Sequence, residues 1–349
     1  MAVTSHASSS PGSAPRVGVV LVTVVLVTVV LVTAAMLLGC GRRRGPLLTP
    51  TAALGIIRTE RDLNDRANAT LDVDLQDRHE TGAAARIDDD AFRRLLVAGK
   101  TAVPGAVQTN GSRAFVPRQS DYPAEFLGQW TETGADGTHG TTLGLFVRLA
   151  PGDAWRVTLY VYAPSDSPDP IPELAVDRDG YAVRLSVGQT QKLRTSADDI
   201  ARGLAEYWNG YDDPTFPLSP ALAAGSWTTQ RNENTRQDVA KKAGEQQTEH
   251  FSASAGPYRY GTAYRTRSGD ALLFISLVEH IAVSVVPPMF FTTPMTYRGR
   301  QVLPLSITQG AHEMFVDVLY TIAVVEPSAG RPVRLIAGYS GPIGAARVG

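Results

Sequence analysis

Residues 271–286 read ALLFISLVEHIAVSVV. Successive side chains of a β-strand point to opposite faces of the sheet, so apolar side chains at alternate positions predict a strand with one face in the core. The strand predicted here carries one carboxylate on its apolar face and a histidine on the opposite face. The side chains that share the apolar face are Leu273, Ile275, Leu277, Glu279, Ile281 and Val283.

The same period-two pattern recurs along the chain, and stretches with helical periodicity come before it in each half. In the first half, helices are predicted for 51–68 and from residue 87, followed by strands at 114–117, 125–131, 142–149 and 155–163. Glu60 falls on the charged side of the first helix, opposite its apolar stripe. In the second half, helices at 195–208 and 235–251 are followed by strands at 258–267, 271–286, 314–325 and 333–339. Ser196 is predicted to cap the first of these helices, whose inner stripe is Ile200, Leu204 and either Tyr207 or Trp208. Helices followed by strands indicate an α+β fold with antiparallel sheets rather than alternating βαβ units.

This repeated order predicts two tandem domains, each with helices followed by a curved antiparallel sheet. The predicted domains cover residues 51–190 and 195–349, and each has the length of an ordinary domain. Residues 41–50, which contain Arg42 to Arg44, are expected to form a flexible tether. Residues 1–40 have the character of a targeting segment.

Cys40, the only cysteine of the 349 residues, follows the apolar stretch 17–38. A polar leader, an uncharged apolar run and small residues before a cysteine are typical of a bacterial lipoprotein signal, with cleavage before Cys40 and a lipid such as palmitate on its thiol. We therefore expect a lipid-anchored protein on the extracytoplasmic face of the cell membrane. The alternative is a single-pass protein whose uncleaved helix at 17–38 spans the bilayer, since that run is long enough.

Composition and motifs exclude several classes of function. The formal net charge is −1, with 43% hydrophobic and 19% charged residues, so a basic surface for nucleic acid is not expected. A single cysteine permits no disulfide within the chain, and the common hydrolase, metalloprotease, nucleotide and redox motifs are absent from the sequence. We expect no cofactor and no metal site.

Two groups of residues nevertheless contain metal-ligand types. The run 88–90 consists of three aspartates, which we interpret as the start of a helix with Asp88 as its cap. The second group is His250, His280, His312 and Glu313. These residue types could bind zinc, but their spacing in the sequence does not bring them together.

Candidate ligand-binding residues lie on two predicted strands. Burial of Glu279 among aliphatic side chains would raise its pKa toward the range of a general base. The alternative is a structural ion pair with an arginine such as Arg265 or Arg334. Three tyrosines of one predicted strand either line a pocket with their rings or belong to the sheet core. They are Tyr258, Tyr260 and Tyr264.

Several short segments resemble an uncharacterised domain family of actinobacterial lipoproteins and membrane proteins. They are 65–70, Glu80-Thr81-Gly82, Phe115-Val116-Pro117 with 122–126, Trp155-Arg156-Val157 and 267–272. The order of elements also resembles the cone-shaped fold of the nuclear transport factor 2 superfamily, in which helices cover a bent sheet and leave a pocket. The first resemblance implies an envelope protein of unknown activity, and the second implies a fold and no function.

The sequence therefore predicts a membrane-anchored accessory module that binds a hydrophobic small molecule or an envelope protein. Two alternatives remain open at this point. The chain could be an enzyme that uses Glu279 in an apolar pocket, or a structural scaffold of the envelope.

Overall fold

Five helices are present in the part of the chain that the structure, a computed structural model, describes. It describes residues 45–348 apart from 104–106, 135–136, 187–188, 190–192, 287–288, 290, 292–294, 298–299, 304–309 and 329. The helices are α1 (Pro50–Thr70), α2 (Val73–His79), α3 (Gly82–Val97), α4 (Ala197–Asn209) and α5 (Thr229–Gly244). The leader, the apolar run 17–38 and Cys40 lie outside the described residues.

Twelve strands are described, and all but two belong to one antiparallel sheet. They are β1 (Gln108–Phe115), β2 (Ala124–Thr133), β3 (His139–Arg148), β4 (Arg156–Pro164), β5 (Arg184–Leu185), β6 (Gln247–Ala255), β7 (Ala263–Arg265), β8 (Ala271–Val285), β9 (Met295–Tyr297), β10 (Arg300–Leu303), β11 (Glu313–Glu326) and β12 (Arg334–Val348). The sheet order is β1-β2-β3-β4-β12-β11-β8-β7-β5, with β6 also paired to β8, while β9 and β10 form a separate hairpin.

The α+β class predicted from the sequence is confirmed, as is the order of helices before strands in each half. Strands from 51–190 and 195–349, predicted as separate domains, share one sheet, because Gly338 of β12 pairs with Tyr162 of β4. Residues 46–349 accordingly form one compact unit. The resemblance to the nuclear transport factor 2 cone remains a prediction.

Strand β8 occupies a central place in this sheet, as its apolar pattern suggests. It pairs along its whole length with β11, while its other edge pairs first with β7 and then with β6. The predicted inner face is buried and includes Glu279, which is 2% exposed. His280 lies on the opposite, partly exposed face, where its Nδ1 is 2.8 Å from Oδ1 of Asp317.

Strand β4 departs from the simple alternation predicted for 155–163. The register shifts where Leu145 pairs with Leu159 and Phe146 pairs with Val157, so Thr158 is an extra residue. This bulge brings Val157 into the same core cluster as Tyr160, whereas Leu159 packs in a different cluster. The physical cause is that one inserted residue reverses the alternation of faces.

Two helix predictions need correction at their ends. The acidic run 88–90 lies inside α3, which begins at Gly82 after Thr81, so Asp88 is not a cap. Asp88 instead accepts a hydrogen bond from the Tyr339 hydroxyl at 2.5 Å. The helix predicted for 235–251 is α5, which starts earlier and ends at Gly244, and its last predicted residues belong to β6.

Helix α4 matches its prediction closely. The Ser196 hydroxyl accepts a hydrogen bond from the Asp199 N–H at 3.1 Å and so caps the first turn. The buried side of α4 includes Ile200, Leu204 and Trp208, as its spacing predicts. Within the described residues, no helix is both long enough and apolar enough to cross a membrane.

Candidate functional site

A cavity of about 890 Å³ lies between α5, the inner face of β8 and the neighbouring strands. Its wall combines aliphatic and aromatic side chains with eight charged ones. The apolar and aromatic members include Trp208, Trp227, Phe251, Ile281, Val283, Phe291, Met314, Val316, Tyr320 and Leu335. The charged members are Asp166, Asp169, Arg231, Asp238, Lys241, Lys242, Glu249 and Glu279. The size of this cavity is typical of a binding site for a small molecule, and its wall is more charged than in most such sites.

Two of the charged side chains of this wall, Arg231 of α5 and Glu279 of β8, form an ion pair. Tyr320 of β11 donates a hydrogen bond from its hydroxyl to Oε2 of Glu279 at 2.6 Å. The side chains of Arg231 and Glu279 are 12% and 3% exposed, respectively. The carboxylate thus has a cationic partner and a hydroxyl donor in a largely dry environment.

Aromatic rings surround this polar group. The Arg231 guanidinium lies 4.2 Å from the centroid of the Trp208 ring. Tyr320 meets Trp208 edge to face at 5.0 Å between centroids, and Trp227 meets Tyr320 similarly at 6.4 Å. These flat rings leave a broad apolar surface beside a fixed charge pair.

Of the predicted binding residues, the structure places only Glu279 in the cavity wall formed by the described residues. Tyr264 of β7 is fully buried in a different core cluster, and Tyr260 packs against that cluster. Tyr258 packs against a third cluster, beside Val278. Since β7 begins at Ala263, the three tyrosines do not share one strand face.

The predicted structural ion pair of Glu279 forms with a different arginine from those expected. Arg265 donates a hydrogen bond to the carbonyl of Gly269, and Arg334 pairs with Asp169 at 2.8 Å. Arg231 was missed because it lies on a helix whose start was placed too late. A single sequence gives no sign that α5 packs beside β6 and brings Arg231 to β8.

A second polar cluster lies beneath β4, at the other half of the sheet. It brings together Glu60 of α1 with His79 and Glu80 at the end of α2. One ligand atom from each of these three residues lies within 4.8 Å of the others, and all three side chains are buried. The Tyr160 hydroxyl is 2.7 Å from Oε1 of Glu60 and 2.8 Å from Oε1 of Glu80. These residue types can bind a metal ion.

The surroundings of this cluster disfavour charge on its members. Burial raises the pKa of Glu60 to about 7, against the opposing effect of the nearby Arg61. Burial and repulsion from Asp88 raise the pKa of Glu80 well above its usual value. Burial lowers the pKa of His79, so its ring is neutral at pH 7.

Comparison with known proteins shows the family. The model of a family described as "Domain of unknown function (DUF8094)" matches residues 44–347. The chain belongs to this family. It is also 22% identical, over 244 residues, to an uncharacterized lipoprotein of Streptomyces coelicolor. The match covers 67% of this chain, and the chain spans 65% of the length of that relative.

Membership of the DUF8094 family confirms the resemblance proposed from the short segments, and the matched region holds both polar sites. One of those segments contains Glu80, and another lies shortly before Tyr160 in β4.

Sequence reasoning placed Glu60 on the exposed side of α1. Its spacing from Ala53, Ile57 and Ala67, which are buried, is nevertheless helical and could have identified it.

Proposed function

We propose that this DUF8094 protein is a lipid-anchored envelope protein that binds a small, largely apolar ligand in the cavity beside α5. The observation that supports the proposal best is the cavity itself. Its volume of about 890 Å³ is lined by aromatic and aliphatic side chains beside the buried Arg231–Glu279 pair, together with six further charged side chains. Cavities of roughly 300–1,000 Å³ are the usual size of small-molecule sites.

The chemistry of the wall indicates the class of ligand. The rings of Trp208, Trp227 and Tyr320 offer apolar area, which favours an aliphatic or aromatic body. The Arg231–Glu279 pair offers both a donor and an acceptor, which favours one polar end group. We therefore expect an amphiphilic molecule, with its polar end at the ion pair.

The ion pair also bears on the alternative that Glu279 acts as a catalytic base. A carboxylate that already faces a guanidinium and a tyrosine hydroxyl is stabilised in its charged form by both partners. That arrangement favours a role in orienting a ligand over abstraction of a proton. The enzyme alternative remains a prediction without a supporting contact.

The binding proposal is tested by titrating the full-length chain, in a mild detergent, with the fluorescent apolar probe 1-anilinonaphthalene-8-sulfonate. We expect saturable binding with energy transfer from the tryptophans of the wall. Ile281→Phe narrows the cavity and should weaken probe binding several-fold. His280→Phe, on the opposite face of the same strand, is the matched control and should leave binding unchanged. Equal affinities for both variants and the wild type would refute the proposal.

The membrane anchor is proposed from the sequence and from the name of the Streptomyces coelicolor relative. The stretch Leu37-Leu38-Gly39-Cys40 has a leucine three residues before the cysteine and a glycine directly before it, and that relative is named a lipoprotein. A thioether-linked lipid on Cys40 would hold the compact unit at the membrane surface. Stable attachment by lipid requires more than one acyl chain, which a diacylglyceryl group provides.

The anchor is tested by expressing wild type and Cys40→Ala in an actinobacterial host with a labelled fatty acid. We expect label in the wild type alone, together with a mass that shows loss of the leader. A wild-type chain of full, unlabelled mass that stays in the membrane would identify the run 17–38 as a permanent helix. That result would overturn the lipid anchor.

A further inference from the structure

We propose that Glu60, His79 and Glu80 form a binding site for a divalent transition-metal ion such as Zn²⁺. The site lies beneath β4 and is separate from the cavity beside α5. Glu60 comes from the middle of α1, whereas His79 and Glu80 come from the end of α2. Imidazole nitrogen and carboxylate oxygen both bind zinc, and three protein ligands leave a fourth coordination position free, as in catalytic zinc sites.

The orientation of His79 is the first argument for a metal. Its Nδ1 lies 2.9 Å from the carbonyl oxygen of Leu75, and because a carbonyl only accepts, Nδ1 must carry the proton. The other ring nitrogen, Nε2, therefore presents a lone pair. Nε2 is buried and has no hydrogen-bond partner, and it lies 3.8 Å from Oε1 of Glu80. Metal-bound histidines are typically held by such a hydrogen bond at the other nitrogen.

The carboxylates leave further buried acceptors without partners. Oε2 of Glu60 and Oε2 of Glu80 are both buried and accept no hydrogen bond. The Tyr160 hydroxyl lies near Oε1 of each residue, but it has one proton and donates to one of them at a time. Buried polar atoms without partners are costly, and these, with Nε2 of His79, belong to three residues whose ligand atoms lie within 4.8 Å of one another, as expected of a site that lacks its ligand.

Charge balance indicates a dication. Without a metal, the raised pKa values of Glu60 and Glu80 mean that the cluster retains protons, which a bound cation would displace. With both carboxylates ionised beside a neutral imidazole, their two negative charges would match a divalent ion. The charged groups nearest to them are Arg61, which acts on Glu60, and Asp88, which acts on Glu80. Arg61 also faces the acidic side chains of Asp65 and Glu132, at 3.8 and 4.0 Å. Its single charge therefore does not balance the cluster.

The type and spacing of the ligands favour a transition metal over calcium or magnesium. Calcium prefers six to eight oxygen ligands, and magnesium keeps several of its waters, whereas a buried imidazole suits zinc, copper, iron or nickel. In tetrahedral geometry, zinc bonds of about 2.0–2.2 Å place two ligand atoms about 3.3–3.6 Å apart. Since the atoms here lie within 4.8 Å of one another, small side-chain rotations bring them into reach.

The backbone around the site is firmly held. Glu80 forms a parallel bridge with Val157 of β4, and the Thr81 N–H donates to the Val157 carbonyl at 2.8 Å. Gly82 follows with a φ of +61°, a left-handed conformation that suits glycine, and it packs directly against Thr158. The bulge in β4 thus fixes the end of α2, and with it two of the three ligands.

The test uses the full-length chain in mild detergent, stripped with a chelator and then dialysed against Zn²⁺. We expect about one zinc ion per chain by elemental analysis, and a rise in the melting temperature on loading. His79→Gln and Glu60→Gln should each reduce zinc affinity at least tenfold. Glu326→Gln, which replaces a buried carboxylate outside the cluster, is the matched control and should bind zinc as the wild type does.

A second measurement covers the case in which a ligand variant fails to fold. Co²⁺ added to the stripped wild-type chain should give the visible absorption bands of a tetrahedral or five-coordinate nitrogen and oxygen site, and Zn²⁺ should displace it. The proposal is overturned if the folded wild type binds neither ion, or if folded His79→Gln retains wild-type stoichiometry. In that case the cluster is a network of shared protons, and Glu60→Gln would raise the melting temperature without any effect of metal.

Discussion

Arg231 and Glu279 form an ion pair that joins α5 to the inner face of β8. Few other residues of α5 could attach the helix to the sheet, because α5 is polar and its buried residues are Asn232 and Thr235. Asn232 donates a hydrogen bond to the carbonyl of Tyr207 at 2.7 Å. Polar contacts therefore position α5 over the sheet, and the same contacts define one wall of the cavity.

Removal of one partner of this pair should destabilise the protein strongly. Arg231→Met leaves Glu279 buried without a cation, and breaking a buried pair costs about 3–5 kcal/mol. The double variant Arg231→Met/Glu279→Leu removes both charges and should recover most of that loss. Urea denaturation of the three proteins measures the free energies of unfolding. Equal losses in the single and double variants would show that packing, rather than charge, determines the result.

Gly338 of β12 should be intolerant of even one added carbon. A Cβ at this position would overlap the indole of Trp227, which lines the cavity. Gly338→Ala should therefore displace Trp227, shift its fluorescence emission and cost about 1–3 kcal/mol from overpacking. Gly344→Ala is the control on the same strand, because the nearest atom to its Cβ would be Oδ2 of Asp317 at 3.7 Å. Similar spectra for both variants would contradict the prediction.

Ser196→Ala should lower the free energy of unfolding by about 1 kcal/mol, since it removes the hydroxyl that caps α4. Ser196→Asp keeps an acceptor at the same position and should remain near wild-type stability. Thermal melts followed by circular dichroism compare the three proteins. A loss in the aspartate variant equal to that in the alanine variant would argue against capping.

The Ser196 cap illustrates what the sequence alone can predict here. Capping, the apolar stripe of α4 and the alternation of β8 depend on residues close together in the chain, and the structure confirms all three. The α+β class follows from such local patterns and was predicted correctly. The position of Glu279 on a buried face was also predictable, because a strand fixes the direction of every second side chain.

The predictions that differ from the structure concern contacts between residues that are far apart in the chain. No local pattern shows that β12 pairs with β4, so one sheet could not be distinguished from two. The partner of Glu279 and the convergence of Glu60 with His79 both require the packing of helices on that sheet. Glu60 was also assigned to the exposed side by its charge, although its spacing in α1 places it among buried residues.

Asp270 holds the turn between β7 and β8 in place. This turn belongs to the segment 267–272, which resembles the family. Its Oδ1 accepts a hydrogen bond from the Ser328 N–H at 2.9 Å, and its Oδ2 accepts one from the Ser268 hydroxyl at 2.9 Å. Burial alone would raise the pKa of Asp270, but these hydrogen bonds outweigh burial and lower it. The carboxylate thus connects this turn to the residues that follow β11.

This lowered pKa predicts how stability depends on pH. The folded state holds the Asp270 proton less tightly than the unfolded state, so its contribution is present above the usual aspartate pKa of about 3.9 and is lost as the pH falls through the folded value. Asp270→Ala should therefore cost about 1 kcal/mol or more at pH 7, and less at pH 3. Asp153→Asn, on an exposed turn, should change stability little at either pH. Urea denaturation at both pH values measures the difference, and an Asp270→Ala cost that does not change with pH would mean that shape, rather than charge, fixes the turn.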